Sequence, residues 1–180
     1  MSFSSSFFLK EALNGISRSL GLTDRAEDSQ TYGCADRSYW HYRTIDFPNL
    51  RFQEVGLLMA LAYSNSFEGN IFFQNPKIFD WCRGIWQFWL NQLNSDGSGA
   101  EVYPNERSFC ATAFSALALM ETQSVLKDQI NISDRFCKIE RTMEWLSKNI
   151  NWEVSNQTAA SFAALRAFAA MTGEPKHYNW

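Results

Sequence analysis

A stretch without a single charge constrains this chain most. From 108 to 120 the letters run Ser-Phe-Cys-Ala-Thr-Ala-Phe-Ser-Ala-Leu-Ala-Leu-Met, and no charged side chain stands between Arg107 and Glu121. A helix apolar on every side must be covered on every side. This segment, read as a helix over 107–122, therefore requires neighbours all round. Two further segments share its character: 51–63, centred on Val-Gly-Leu-Leu-Met-Ala-Leu-Ala, and 157–171, rich in Ala, Phe and Leu and broken by Arg166. Between them lie helices of a second kind. In 76–94, Ile78, Cys82, Ile85, Trp86, Trp89 and Leu93 recur at helical spacing, with Asp80, Arg83, Gln87, Asn91 and Asn94 opposite. In 134–149 the stripe is Phe136, Ile139, Met143, Leu146 and then Ile150, facing away from Lys138, Glu140, Arg141, Glu144 and Lys148.

Enclosed and half-enclosed helices thus alternate, and strand alternation is absent. Asn75-Pro76 reads as an N-cap followed by proline at the first helical position, and Ser95-Asp96-Gly97 ends the helix it opens. A weak repeat runs beneath the pattern. Phe88-Trp89-Leu90 matches Glu144-Trp145-Leu146, and Phe114 and Leu117 match Phe162 and Leu165. A repeat of roughly 50 residues, one helical hairpin long, points to a stacked or closed array. The expected fold is all-α: a partial α/α toroid of stacked hairpins, with apolar inner helices and amphipathic outer ones. The expected division is an N-terminal helix in 1–21, an aromatic-rich connection in 22–49 and the hairpin array in 50–180. Glu174-Pro175-Lys176 reads as the opening of another outer helix. The array is therefore expected to continue beyond Trp180 or to be completed by homo-oligomerisation.

Composition narrows the partners. The 180 residues carry a net charge of −3, which argues against a nucleic-acid footprint. No apolar stretch reaches the ~20 residues that cross a bilayer, and Met-Ser-Phe-Ser-Ser-Ser lacks the basic start of a signal peptide. A cytoplasmic location is expected. Cys34, Cys82, Cys110 and Cys137 form no CxxC pair, so they read as buried free thiols. His41 and His177 have no cysteine at ligand spacing, and neither a metal nor a cofactor is expected.

If the inner helices run the same way, their N-termini meet on one rim. There the sequence sets its polar clusters: Arg51, Gln53 and Glu54; Tyr103, Pro104, Asn105, Glu106 and Arg107; Ser155, Asn156, Gln157 and Thr158. Capping by Asn105 and Asn156 is one reading. Arg51 and Arg107 oppose the helix dipole, so each pairs with Glu54, Glu106 or Asp46 or awaits an anionic ligand. The segment Asp36-Arg37-Ser38-Tyr39-Trp40-His41-Tyr42-Arg43 feeds the first cluster, either as a packed plug or as a ligand platform. Aromatic faces mixed with arginine and carboxylates suit a saccharide or another polar ring ligand. The expected ligand-binding set is Asp36, Arg37, Tyr39, Trp40, His41, Arg51, Tyr103, Asn105, Glu106, Arg107, Asn156 and Gln157. For catalysis the candidates are a Tyr39/His41 proton-abstracting pair, with Glu54 and Glu106. Glycosidase-like carboxylate pairs drawn from Asp36, Asp46, Glu54, Asp96, Glu101 and Glu106 are the other option.

The stretch Trp89-Leu90-Asn91-Gln92-Leu93-Asn94-Ser95-Asp96-Gly97-Ser98, then Tyr103-Pro104 and the Thr112-Ala113 run, resembles the repeat of terpenoid cyclase and protein prenyltransferase α/α toroids. The resemblance spans 76–122 and, more loosely, 134–171. It implies the toroid and no single activity, because the DxDD acid motif and the prenyltransferase zinc set are both missing from the sequence. Toroid polysaccharide lyases and six-hairpin glycosidases share the architecture. Three functions follow, in order: a segment binding a polysaccharide or other polar ligand at the rim, a carbohydrate-active enzyme or its N-terminal half, and a terpenoid cyclase-like protein.

Overall fold

The computed structural model describes residues 5–131 and 133–173. The all-α class holds: every regular element among these residues is helical, apart from one isolated bridge between Gly99 and Ser108. In chain order they are α1 (Ser5–Leu22), the short α2 (Arg37–Trp40), a 3-10 helix (Leu50–Glu54) that continues into α3 (Val55–Ser64), α4 (Pro76–Gln92), α5 (Phe109–Leu126), α6 (Phe136–Lys148) and α7 (Ser155–Thr172). The helix expected at 174–176 lies outside the described residues.

Local chemistry sets the boundaries. Asn75 Oδ1 accepts from the Lys77 N–H at 3.0 Å, and Pro76 follows at the first turn, as its sequence requires. Asn49 caps the 3-10 helix in the same way, accepting from the Arg51 N–H at 2.8 Å. Two expected caps are corrected. Ser108, not Asn105, caps α5, accepting from the Ala111 N–H at 3.1 Å. Val154 precedes α7 without a side-chain cap, and Asn156 lies inside the first turn. Gly173 closes α7 in the left-handed region, at φ 69°.

The helix built on the charge-free stretch is covered on most sides but not on all: a stripe through Cys110, Phe114, Leu117, Glu121 and Val125 stays half-buried, short of the complete cover its composition predicts. α5 packs against the 3-10 helix, α3, α6 and α7. On α4, Trp89 Nε1 donates to Ser115 Oγ at 2.9 Å, so that helix covers α5 as well. Ring contacts give the directions. Phe109 at the start of α5 meets Trp145 near the end of α6, and Phe136 at the start of α6 stacks on Phe168 near the end of α7. Both pairs are antiparallel, so α5 and α7 run parallel. At the other side, Arg51 lies over Phe114 early in α5, while Tyr63 reaches Gln129 just past its end. Hence α3 runs parallel to α5 too, and the starts of α3, α5 and α7 share one end of the molecule.

α4 and α6 show the expected two faces. Ile78, Cys82, Ile85, Trp86 and Trp89 are buried while Arg83, Gln87 and Asn91 are exposed. In α6, Ile139, Met143 and Leu146 are buried. The turn between α4 and α5 explains its Asp-Gly-Ser letters. Asp96 Oδ1 accepts from the Ser98 N–H at 3.0 Å and from its hydroxyl at 2.6 Å. Gly97 holds φ +90°, and a Cβ there would come within 2.5 Å of the α6 backbone at Arg141 and Thr142. Only glycine fits both demands. α5 alone among the described helices has the length and apolarity of a membrane span, and 61% of it is buried inside the protein.

Candidate functional site

The end where α3, α5 and α7 begin is built from three loops, the first two of them tied together by a backbone bond. The Leu50 N–H donates to the Ala100 carbonyl at 3.1 Å, and the Ser108 N–H donates to Gly99 at 2.9 Å. Glu106 folds back on its own loop: one carboxylate oxygen accepts from the N–H groups of Glu101, Val102 and Tyr103. Burial opposes its ionisation, but these three donors outweigh burial and hold its pKa below the usual carboxylate value. Asp96 behaves alike. Burial raises its pKa, and the Ser98 bonds and the Arg107 guanidinium more than reverse that. At the third start, Asn151 donates to Gln157 Oε1 at 3.0 Å and Asn156 Oδ1 accepts from the Gln157 N–H.

Around the first two starts a charged group assembles. Arg51 Nε donates to Glu54 at 2.5 Å, its Nη1 lies 3.1 Å from Cys110 Sγ, and the guanidinium stacks 4.3 Å above Phe114. Glu101 accepts from the Ser108 hydroxyl at 2.6 Å. Burial and Glu101 raise the Cys110 pKa against the pull of Arg51, which favours the thiol over the thiolate. Of the other thiols, Cys34 and Cys82 are buried and pushed up to about 12 by desolvation, whereas Cys137 is exposed, against the expectation for all four. No cluster of three or more His, Cys, Asp or Glu among the described residues is set to hold a metal ion.

The 36–43 segment is used largely for packing. Asp36 is buried, caps α2 through the Ser38 N–H, and accepts from the Asn49 N–H at 2.9 Å. Arg37 donates to the Gly21 carbonyl and Trp40 Nε1 to the Leu22 carbonyl, so together they close the open end of α1. The Tyr39 ring lies against Phe88, while the His41 ring meets Trp40 and Tyr42; the two side chains turn to different neighbours. Gln53, expected at the rim, is buried instead. Its Oε1 accepts from the Ala35 N–H, and its Nε2 donates to the Gly33 and Ile85 carbonyls. Arg107 pairs with Asp96, a partner on the preceding turn.

Three aromatic rings at this end reach solvent, beside exposed Asn105, Arg107 and Asn156. Phe52 is 48% exposed, Tyr103 67% and Trp152 73%. One stands at each of the three helix starts, beside exposed Val102 and Val154. Only Tyr103 is legible as a site residue in advance; Phe52 and Trp152 are of residue types that fill cores throughout this chain. Compared with family models, curated proteins and solved structures, the chain matches none.

Proposed function

We propose that this chain is a segment of a curved α/α array of the toroid kind, and that it binds a polar, ring-bearing ligand, a saccharide, where α3, α5 and α7 begin. The observation that carries the reading is the set of exposed rings Phe52, Tyr103 and Trp152, one at each helix start. Large exposed apolar groups on one face mark interaction sites. Neighbouring helices lie about 8–10 Å apart, the scale on which rings at adjacent helix starts can serve successive sugar units. Hydrogen-bonding groups stand among them: Arg51 with Glu54, the amides of Asn105 and Asn156, and the Tyr103 hydroxyl. Flat ring faces then meet the apolar faces of sugars while amides and carboxylates meet hydroxyls. Asp36, Arg37 and Trp40 serve in this reading as the frame that seats the first loop, not as contacts.

Calorimetric titration of the chain with hexamers of neutral and of acidic sugars tests it. Binding is expected in one series, weakened at least about fivefold by Trp152→Ala and by Tyr103→Ala, roughly 1 kcal/mol per stacked ring. No heat of binding from any hexamer at millimolar concentration, or full affinity in both variants, overturns it.

A further inference from the structure

The half-buried stripe of α5 continues onto α7. Between the two helices, towards their C-terminal ends and away from the rim, runs an open groove of about 690 Å³. Ala163, Ala167 and Ala170 form its α7 side, small enough for another helix to approach closely. Each helix contributes one charge. Glu121 is the single charged residue of Phe109–Leu126 and Arg166 that of Ser155–Thr172, and both face this groove. Neither makes an ion pair or a side-chain hydrogen bond among the described residues.

The two charges stand at matching heights. Glu121 lies twelve residues past the start of α5 and Arg166 eleven past the start of α7. The helices run parallel from one end of the molecule, so at about 1.5 Å per residue the charges share a level on opposite banks. A single symmetry operation satisfies both. A two-fold axis along the groove sets α5 of one copy against α7 of its partner, and each Glu121 then meets the partner's Arg166. Such an isologous contact makes two ion pairs from one surface. Its size is also sufficient. Each helix has 18 residues, or about 27 Å of length. Two helices about 10 Å wide present roughly 500 Å² per copy and about 1,000 Å² in total, the lower bound for a specific, weak association. Lys127, the remaining charge at the groove, stands past the end of α5 and clear of the pair.

We propose that the α5–α7 face is an interface between two copies of this chain, fixed by reciprocal pairing of Glu121 with the partner's Arg166. Leu117, half-buried in one copy, and Ala170, exposed in it, are covered there. The dimer is weak, dissociating at about 10–100 µM, because ion pairs decide which partner fits more than how tightly it holds.

Sedimentation velocity on the whole chain tests this through charge reversal at both positions. The unaltered chain is expected to pass from monomer to dimer as its concentration rises to about 0.5 mM. Glu121→Arg alone sets arginine against arginine, and Arg166→Glu alone sets glutamate against glutamate. Each variant is therefore expected to dimerise at least about tenfold more weakly. Mixed in equal amounts, the two are expected to regain the dimer, because each supplies the charge that the other lacks, and that recovery shows both to be folded. An unaltered chain that stays monomeric at about 0.5 mM, single variants that associate as the unaltered chain does, or a mixture no more dimeric than its components overturns the proposal.

Discussion

At the scale of single residues, Gln53 does the most for its size. One buried amide joins the 33–35 backbone, the 3-10 helix and α4, spending its oxygen on Ala35 and its two N–H groups on Gly33 and Ile85. Gln53→Leu keeps the volume and strands the Ala35 N–H and the Gly33 carbonyl. A loss of about 3 kcal/mol is expected in urea unfolding, and a loss under about 1 kcal/mol would show that solvent reaches these groups. This role was illegible beforehand, since a glutamine between Arg51 and Glu54 looks like part of a polar cluster. The Arg51–Glu54 bond was legible, because i and i+3 positions face each other on a helix. Arg107 was not: its partner Asp96 lies across a turn whose geometry no spacing rule reveals. Phe52 and Trp152 were missed for a simpler reason. Residue type says that a ring wants burial, and only the finished packing says which rings are left out.

At the scale of elements, stripes and caps carried most of what could be read. The faces of α4 and α6 follow from periodicity, and the Asn75-Pro76 start follows from which groups a first turn leaves unbonded. The ends were harder. α5 runs to Leu126, past the expected 122, because Gln123, Ser124 and Val125 carry no stop signal of their own. The turn after α4 shows a local letter set by a distant element. Gly97→Ala adds a Cβ 2.5 Å from the α6 backbone at φ +90°, whereas Gly173→Ala, at φ +69°, meets nothing within 4 Å. The first is expected to cost about 3 kcal/mol and the second about 1 kcal/mol. Equal melting temperatures for the two variants would show that α6 does not rest on this turn.

At the scale of the whole molecule, two groups of shifted acids bound the pH range of stability. Asp96 and Glu106 titrate below their ordinary values when folded, so their contribution is present above about pH 4.5 and is lost as pH falls through the lowered values. Cys34 and Cys82 are displaced the other way, to about 12. Unfolding frees both thiols to ionise, and stability falls as pH climbs from about 8.5 towards 12. The urea midpoint is therefore expected to plateau between these limbs, with Asp96→Asn plus Glu106→Gln flattening the acid limb alone. An acid limb unchanged in that double variant would assign it to other carboxylates. The enclosure of α5 has a last consequence. Linear repeat proteins tolerate the removal of a unit because each one leans only on the next. Here the central rod is walled by segments from both halves of the chain, so excising any hairpin strips its lining, and the assembly melts as one body or not at all.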